Sequence, residues 1–359
     1  MKSIKCILLG LLCGLSFALK AQEHYTKYVD PTIGSEGLGR VFVGPAYPFG
    51  MVKPSPDCSL GSNSGWLPQP SPVLGFSQLH TSGTGGGPKY GNIRIMPFSG
   101  GLSLENRSFM REDETIKLGY YATTFKENGI QTEITASRRV SFYRFSYPEN
   151  RPMGIEIDPG FFLGENPVPN AREAQQFISS EIEVVSDTEV QGFNRVRGGW
   201  NNGRAYTVYF YAIFDQPIAE FATWKDKTLF QGEKVQFDSY DKTGALLQFN
   251  GKPIVNVKIG ISFLSSNKAK RNVETEIPHW DFSSVIDDLV EEWDRLISRM
   301  EVSPEAPLAY KRMFYTGLYH AMLMPVDRTG ENKTPYGRVI NPIMMTIMLF
   351  GIPIEPRAH

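Results

Sequence analysis

From Tyr28 to about Asp281 the apolar residues come in short runs with strand character. Val140–Tyr147 (VSFYRFSY) and Tyr206–Phe214 (YTVYFYAIF) are rich in β-branched and aromatic residues, and Ile254–Phe263 (IVNVKIGISF) alternates apolar and polar with a period of two. Gly, Pro, Asn and Asp cluster between the runs, and no repeat of fixed period is visible. Many strands with turn signals and few helical patterns predict a mainly β fold, a large antiparallel β-sandwich of two packed sheets. The period then lengthens. Between Val285 and Met300 apolar residues fall at 285, 286, 289, 290, 293, 296, 297 and 300, the stripe of a helix, with Asp287, Asp288, Glu291 and Glu292 on the other face. Ser283 and Ser284 are ready N-caps. Pro304 and Pro307 interrupt, Leu308–Met324 is a second helical pattern, and Pro325 ends it. The boundary between strands and helices is expected near 275–282, giving a sandwich domain over 22–281 and helices over 282–332. Helices of this length are marginal without tertiary partners, so residues 283–324 are expected to be poorly protected, with Leu318, Met322 and Leu323 exposed.

One stretch fits neither period. Val73–Asn92 (VLGFSQLHTSGTGGGPKYGN) begins as a short buried strand through Val73, Leu74 and Phe76. It then sets His80, Thr81, Ser82 and Thr84 among Gly83, Gly85, Gly86 and Gly87. Each glycine in a regular element costs up to ~1 kcal/mol, so the run reads as a loop on an unusual path. Pro88 stiffens its exit, and Asn92–Pro97 resumes as strand. A phosphate cradle is excluded because no helix-forming segment or Lys-Ser/Thr pair follows the glycines. What remains is either a tight structural loop at the rim of the sandwich or a loop presenting polar groups to a sugar.

Composition narrows the classes. The 359 residues are 41% hydrophobic with a net charge of −1, enough for a large core and without a basic footprint for nucleic acid. Residues 1–21 have a positive start at Lys2 and Lys5, an apolar run from Cys6 to Leu19 and a small residue at Ala21. They read as a secretory signal peptide, which places the protein in the periplasm or outside the cell. No later run suits a transmembrane helix. Cys6 and Cys13 lie in the signal, so Cys58 is the one cysteine left, read as a small buried hydrophobe without a disulfide partner.

The order of several blocks resembles glycoside hydrolase family 92, the calcium-dependent exo-α-mannosidases. The central stretch is similar to that family's GFSHTHLSGTG signature, with Gln78 where the commoner pattern has His. Tyr28–Ser35 (YVDPTIGS), Gly44–Val52 with Pro54–Asp57 (GPAYPFGMV, PSPD), Gly119–Tyr121, Glu133–Arg138 and Phe314–His320 (FYTGLYH) match further blocks in the right order, from residue 28 to about 332. The resemblance implies a β-sandwich followed by linker helices, the second beginning an (α/α)6 barrel. It implies exo-acting hydrolysis of a mannose-containing glycan, of α-1,2 type, with inversion and calcium assistance. The catalytic carboxylates and most calcium contacts would lie in the barrel, so no catalytic residue and no metal ligand is assigned in this chain. The alternative is a non-catalytic carbohydrate-binding or structural sandwich.

Within the chain, Trp66 and His80 are the substrate-binding candidates. Trp66, in SGWLP, can stack on a sugar ring or plug the rim of the sandwich. His80 can be a hydrogen-bonded structural histidine, but the resemblance turns its loop towards the barrel. Trp200 and Arg204 lie in a second loop of suitable composition. A Ser-His-Asp set can be drawn from Ser82, His80 and Asp57, but no G-x-S-x-G elbow supports it. Glu36 and Asp57 read as structural, Asp287, Asp288, Glu291 and Glu292 as a solvated helix face, and the histidines lack ligand spacing for zinc. Beyond residue 332 neither period holds, and residues 333–359 are expected to be an aberrant tail. Shifted by one base, the degenerate codons of that tail permit N-P-L-W-K-S-D-Q-P-Y-Y-D-D-Y-Y-A-I-W-D-T-Y-R-T-S, which resembles the family's early barrel block. The tail therefore reads as frame-shifted.

Overall fold

The alternating runs pair as two antiparallel sheets. The computed structural model describes residues 24–37, 39–83, 88–165, 174–199 and 203–331, together with the backbone of 344–345. In chain order the strands are β1 Ser55–Pro56, β2 Phe76–Ser77, β3 Arg94–Phe98, β4 Arg111–Lys117, β5 Tyr120–Phe125, β6 Gln131–Ala136, β7 Val140–Ser146 and β8 Met153–Asp158. They continue as β9 Gln175–Val184, β10 Glu189–Gly198, β11 Tyr206–Phe214, β12 Ile218–Lys225, β13 Thr228–Gln231, β14 Val235–Asp238, β15 Thr243–Phe249 and β16 Ile254–Ser262. The 7-stranded sheet runs β1-β2-β3-β8-β15-β12-β13, and the 9-stranded sheet β14-β9-β10-β11-β16-β7-β6-β5-β4. Ile95, Ile155, Ile157 and Leu247 from the first sheet and Tyr143, Phe145, Phe210, Val257 and Ile259 from the second belong to one apolar core. That is the expected sandwich of two packed antiparallel sheets, whose strands bury alternate residues on the inner face.

The strand predictions hold well where the runs are long. Tyr206–Phe214 is reproduced to the residue, and the runs at 140–147 and 254–263 each end one residue early. Arg94–Phe98 starts two residues later than the expected 92, and Val73 contributes only an isolated bridge to Phe109. Cys58 is free and buried as expected, and burial pushes its thiol up to about 11.

Three helices come next: α1 Ser266–Glu276, α2 Phe282–Ile297 and α3 Leu308–Ala321. The first was not foreseen. Its Ala269 and Val273 lie against Gly260 of β16, where an added Cβ would sit 2.4 Å from the Ala269 carbonyl oxygen. Helix and sheet can approach this closely because the glycine has no side chain. The next helix begins three residues before the expected start and is capped by Asp281, which accepts from the Ser284 amide, instead of by Ser283 or Ser284. Its first turn is drawn inward because Phe282 packs edge-on against Phe142, ring centroids 5.0 Å apart.

The expectation of poorly packed helices is corrected for α2. Leu289, Trp293 and Ile297 are fully buried in the sandwich core, and the Trp293 indole N–H donates to the Ala46 carbonyl at 2.7 Å. The acidic face forms as foreseen: Asp287, Asp288 and Glu291 are exposed, and Glu292 pairs with Arg295. Asp294, on the same helix, is buried and accepts from Thr26 and His24 of the N-terminal 3-10 turn at Tyr25–Tyr28. The exposed apolar residues of α3 also differ from the expected set. Leu323 is fully buried and Leu318 and Met322 half-buried, whereas Leu308, Tyr310, Met313 and Phe314 face solvent. Tyr310, Met313 and Phe314 fall on one helical face. Exposed apolar faces of this kind promote self-association. We expect Y310S/M313Q/F314S to lower light scattering of the purified chain at high concentration without changing its thermal midpoint. Unchanged scattering would remove this face as the cause.

The signal-peptide reading of 1–21 and most of the tail at 333–359 lie outside the described residues. Within the tail, the backbone of Met344–Met345 pairs with Val326–Asp327. Among the described residues no helix is long and apolar enough to cross a membrane.

Candidate functional site

The loop entering β2 and the segment leaving it fold into a buried polar knot around His80. The ring Nδ1 lies 2.7 Å from the Lys53 carbonyl, to which it donates, and Nε2 lies 2.9 Å from Asp57 Oδ1 and 3.2 Å from Ser77 Oγ. The other Asp57 oxygen accepts from the Ser77 amide at 2.9 Å. The His80 and Asp57 side chains are both 0% exposed. Backbone bonds from Asp57 to Gly75 and from Leu74 to Asp57 hold the two strands that carry these residues together. A hydrolytic triad uses the two imidazole nitrogens differently, serine on one and carboxylate on the other. Here serine and carboxylate converge on Nε2, and Nδ1 is occupied by a carbonyl. The serine in the knot is Ser77. Ser82, the one drawn from sequence, accepts from the Phe42 amide at 3.1 Å and its own amide points at Met324 Sδ. The arrangement fixes a loop and has no activated nucleophile.

Trp66 is brought beside this knot. Gly65, with φ +79°, passes so close that a Cβ would lie 2.5 Å from His80 Nε2 and 2.9 Å from Asp57 Oδ1. The Trp66 ring is 5% exposed. Its N–H donates to Glu114 Oε1 at 3.0 Å, an oxygen that also accepts from Arg111 and Tyr121, and the Arg111 guanidinium lies over the ring. In the described residues the Trp66 and His80 side chains are both buried and bonded to internal partners. Glycine at 65 is required both by the left-handed backbone and by the contact. We expect Gly65→Ala to destabilise the fold by about 2 kcal/mol or more, read as a shift of the urea midpoint at unchanged slope. A neutral result would show that the knot is looser than these distances.

Gln78, where the signature has His, is equally internal. Its carbonyl accepts from the Tyr143 hydroxyl at 3.1 Å and its amide donates to the Ile93 carbonyl at 3.2 Å. The glycines at 85–87, Thr84 and Trp200 lie outside the described residues. Glu36 is exposed, and Arg204 is exposed on the loop after β10. The segment after α3 closes over the knot. The Phe49 amide donates to Met322, the Asp327 amide to Phe49, and Arg139 bonds both Glu276 and the Thr329 carbonyl. Glu331, buried, accepts from Ser262 Oγ at 2.7 Å and the Phe263 amide at 2.9 Å. Sequence reasoning missed Glu331 and Lys53; the latter's only signal is a lysine inside the apolar run GMVKP.

Among the described residues the neighbouring buried carboxylates of β8 are engaged. Glu156 and Asp158 on β8 are held by Arg94 at 2.9 and 3.0 Å, and Glu156 by Arg107 at 3.0 Å. Among the described residues no three His, Cys, Asp or Glu side chains gather as a metal-binding set. The described residues alone therefore do not supply a carboxylate set for a calcium ion.

Architecture and site define a sandwich module that holds a polar loop against the helices after it. Residues 28–262 match the family model of the glycosyl hydrolase family 92 N-terminal domain, and 268–344 match that of the family 92 catalytic domain, which takes in the first part of the tail. The chain belongs to glycosyl hydrolase family 92. It is similar to the structure of a family 92 α-mannosidase from Bacteroides thetaiotaomicron in complex with mannoimidazole, at 25% identity and a TM-score of 0.79, covering 90% of this chain and 44% of that one. A family 92 inverting mannosidase from the same organism shares the fold at 23% identity and a TM-score of 0.74, with 91% and 44% covered. An uncharacterized secreted glycosidase of Arthroderma benhamiae is 27% identical over 91% of this chain and 46% of its own length. The chain thus spans less than half the length of these relatives.

Proposed function

We propose that this chain is the sandwich part of an exo-acting α-mannosidase that removes mannose from a secreted or periplasmic glycan, with α-1,2 preference, inversion and calcium assistance. The observation that carries the reading is the likeness, over 90% of the chain, to an α-mannosidase in complex with mannoimidazole. The secreted relative and the signal-like residues 1–21 support the location. In this reading the chemistry needs an acid and a base flanking the glycosidic bond, and the carboxylates for it come from outside the described residues. Calcium enters only through the family resemblance. The sandwich supplies the wall on which the His80 loop and Trp66 are set, at the seam with the segment after α3. Trp66 and His80 would reach a sugar only by exposing groups that are now paired internally, so His80→Ala should act first on stability and only then on substrate affinity. The second reading, a sandwich without catalysis that binds glycan weakly or not at all, is favoured by the engagement of Asp57, Glu156 and Asp158 in internal pairs. Mannose release from an α-1,2-mannobiose separates the two. The first reading expects inverted β-mannose from a polypeptide that carries the family's full length. Absence of release from such a folded protein would leave the second.

A further inference from the structure

Lys53 is a cation placed in the core. It sits between buried Val52 and Pro54, is 2% exposed, and makes one hydrogen bond among the described residues, from Nζ to the Gly50 carbonyl at 2.8 Å. An ammonium has three donors. A cavity of about 30 Å³ borders it, lined by Lys53, His80, Tyr90 and Arg328 with Met51 and Phe263 among the apolar walls. That volume takes one water-sized species. Among the described residues no carboxylate bonds the Lys53 ammonium: Asp57 bonds His80 and Ser77, and Glu331 bonds Ser262, the Phe263 amide and Asn272. Burial pushes Lys53 down to about 7, the behaviour of an ammonium withdrawn from water.

We propose that this cavity is a binding site for a small monovalent anion of the halide class, held against the Lys53 ammonium on the wall that Arg328 shares. A halide supplies Lys53 with both a hydrogen-bond acceptor and the missing negative charge; a water supplies only the acceptor. The site is independent of the glycosidase reading, and its test does not use activity. The charged and titratable groups facing Lys53 are the His80–Asp57 pair, Tyr90 and Arg328, with Glu331 behind Arg328; the proposal requires a change of charge at Lys53 alone. Since the halide binds the protonated amine, its affinity is flat below pH 7 and falls about tenfold per pH unit above it.

The test is thermal unfolding of the purified chain in sodium chloride or bromide against sodium gluconate at equal ionic strength. At pH 6 the midpoint should rise with halide and saturate. At pH 9 about a hundredfold more halide should be needed for the same rise. Lys53→Met should lose the halide dependence while keeping its midpoint in gluconate at or above that of the parent chain. Crystals grown at pH 6 in bromide should show an anomalous peak in the cavity, which decides the matter even if the variant does not fold. Superimposable halide and gluconate curves, a K53M variant that still responds, or a cavity holding only water would overturn the proposal.

Discussion

Arg94→Ala should lower the stability of the chain by about 3–5 kcal/mol, the cost of breaking a buried ion network from one side. The guanidinium bonds Glu156 Oε1 at 2.9 Å, Asp158 Oδ2 at 3.0 Å and the Leu74 carbonyl at 2.9 Å, beneath the loop that brings in Arg107. Burial already raises the Asp158 carboxyl above its usual range, with Arg94 acting against it. Without Arg94 two carboxylates remain under apolar cover with one arginine between them. They must then take up protons, so the loss should be greater at pH 8 than at pH 5. Equilibrium denaturation at both pH values reads this. A loss below ~1 kcal/mol at pH 8 would show that water reaches the network.

Stability should also rise with pH above neutrality, through Lys53. Its amine titrates near 10.5 in the unfolded chain and at about 7 in the fold. Below pH 7 both states carry the proton and the full cost of burying it stands. Between 7 and 10.5 the unfolded chain holds the proton and the folded chain does not, so folding gains with each pH unit. Above 10.5 the cost is gone. The fall from 10.5 to about 7 corresponds to roughly 5 kcal/mol. Lys89 and Lys258, each lowered to about 8 by burial, act in the same direction. In halide-free buffer Lys53→Met should stabilise the chain most at pH 6 and flatten the rise. A wild-type stability that is level from pH 7 to 10 would contradict the buried charge.

What the sequence discloses tracks how local the cause is. Tyr206–Phe214 is readable because nine consecutive residues favour a strand and it lies inside a sheet, between β10 and β16. The stripe of α2 is readable because its core-facing residues are large. The stripe of α1 is not, since SNKAKRNVETE reaches the sheet with little more than Ala269 and Val273, and the partner that makes this work is a glycine on β16. The ordered blocks disclose the family, but not where their side chains point. Trp66 and His80 are legible as a pair near one loop. Their burial is not, because it depends on Glu114, Arg111, Asp57 and Lys53, which come from other strands and loops. The exposed residues of α3 escape a sequence reading because the N-terminal turn covers its other face: Tyr25 and Tyr28 stack on Tyr315, and the Asp30 amide bonds Thr316.

On the proposed reading this chain supplies the wall of a mannosidase site, and the reacting carboxylates come from outside the described residues. Mannose release from an α-1,2-mannobiose, with calcium present, tests it on two polypeptides: the 359-residue chain, and one in which the codons after Lys333 are read in the shifted frame. No release is expected from the first and steady turnover from the second. Turnover by the first, lost on replacing Ser77 or His80, would contradict that reading, as would a folded second polypeptide that releases nothing.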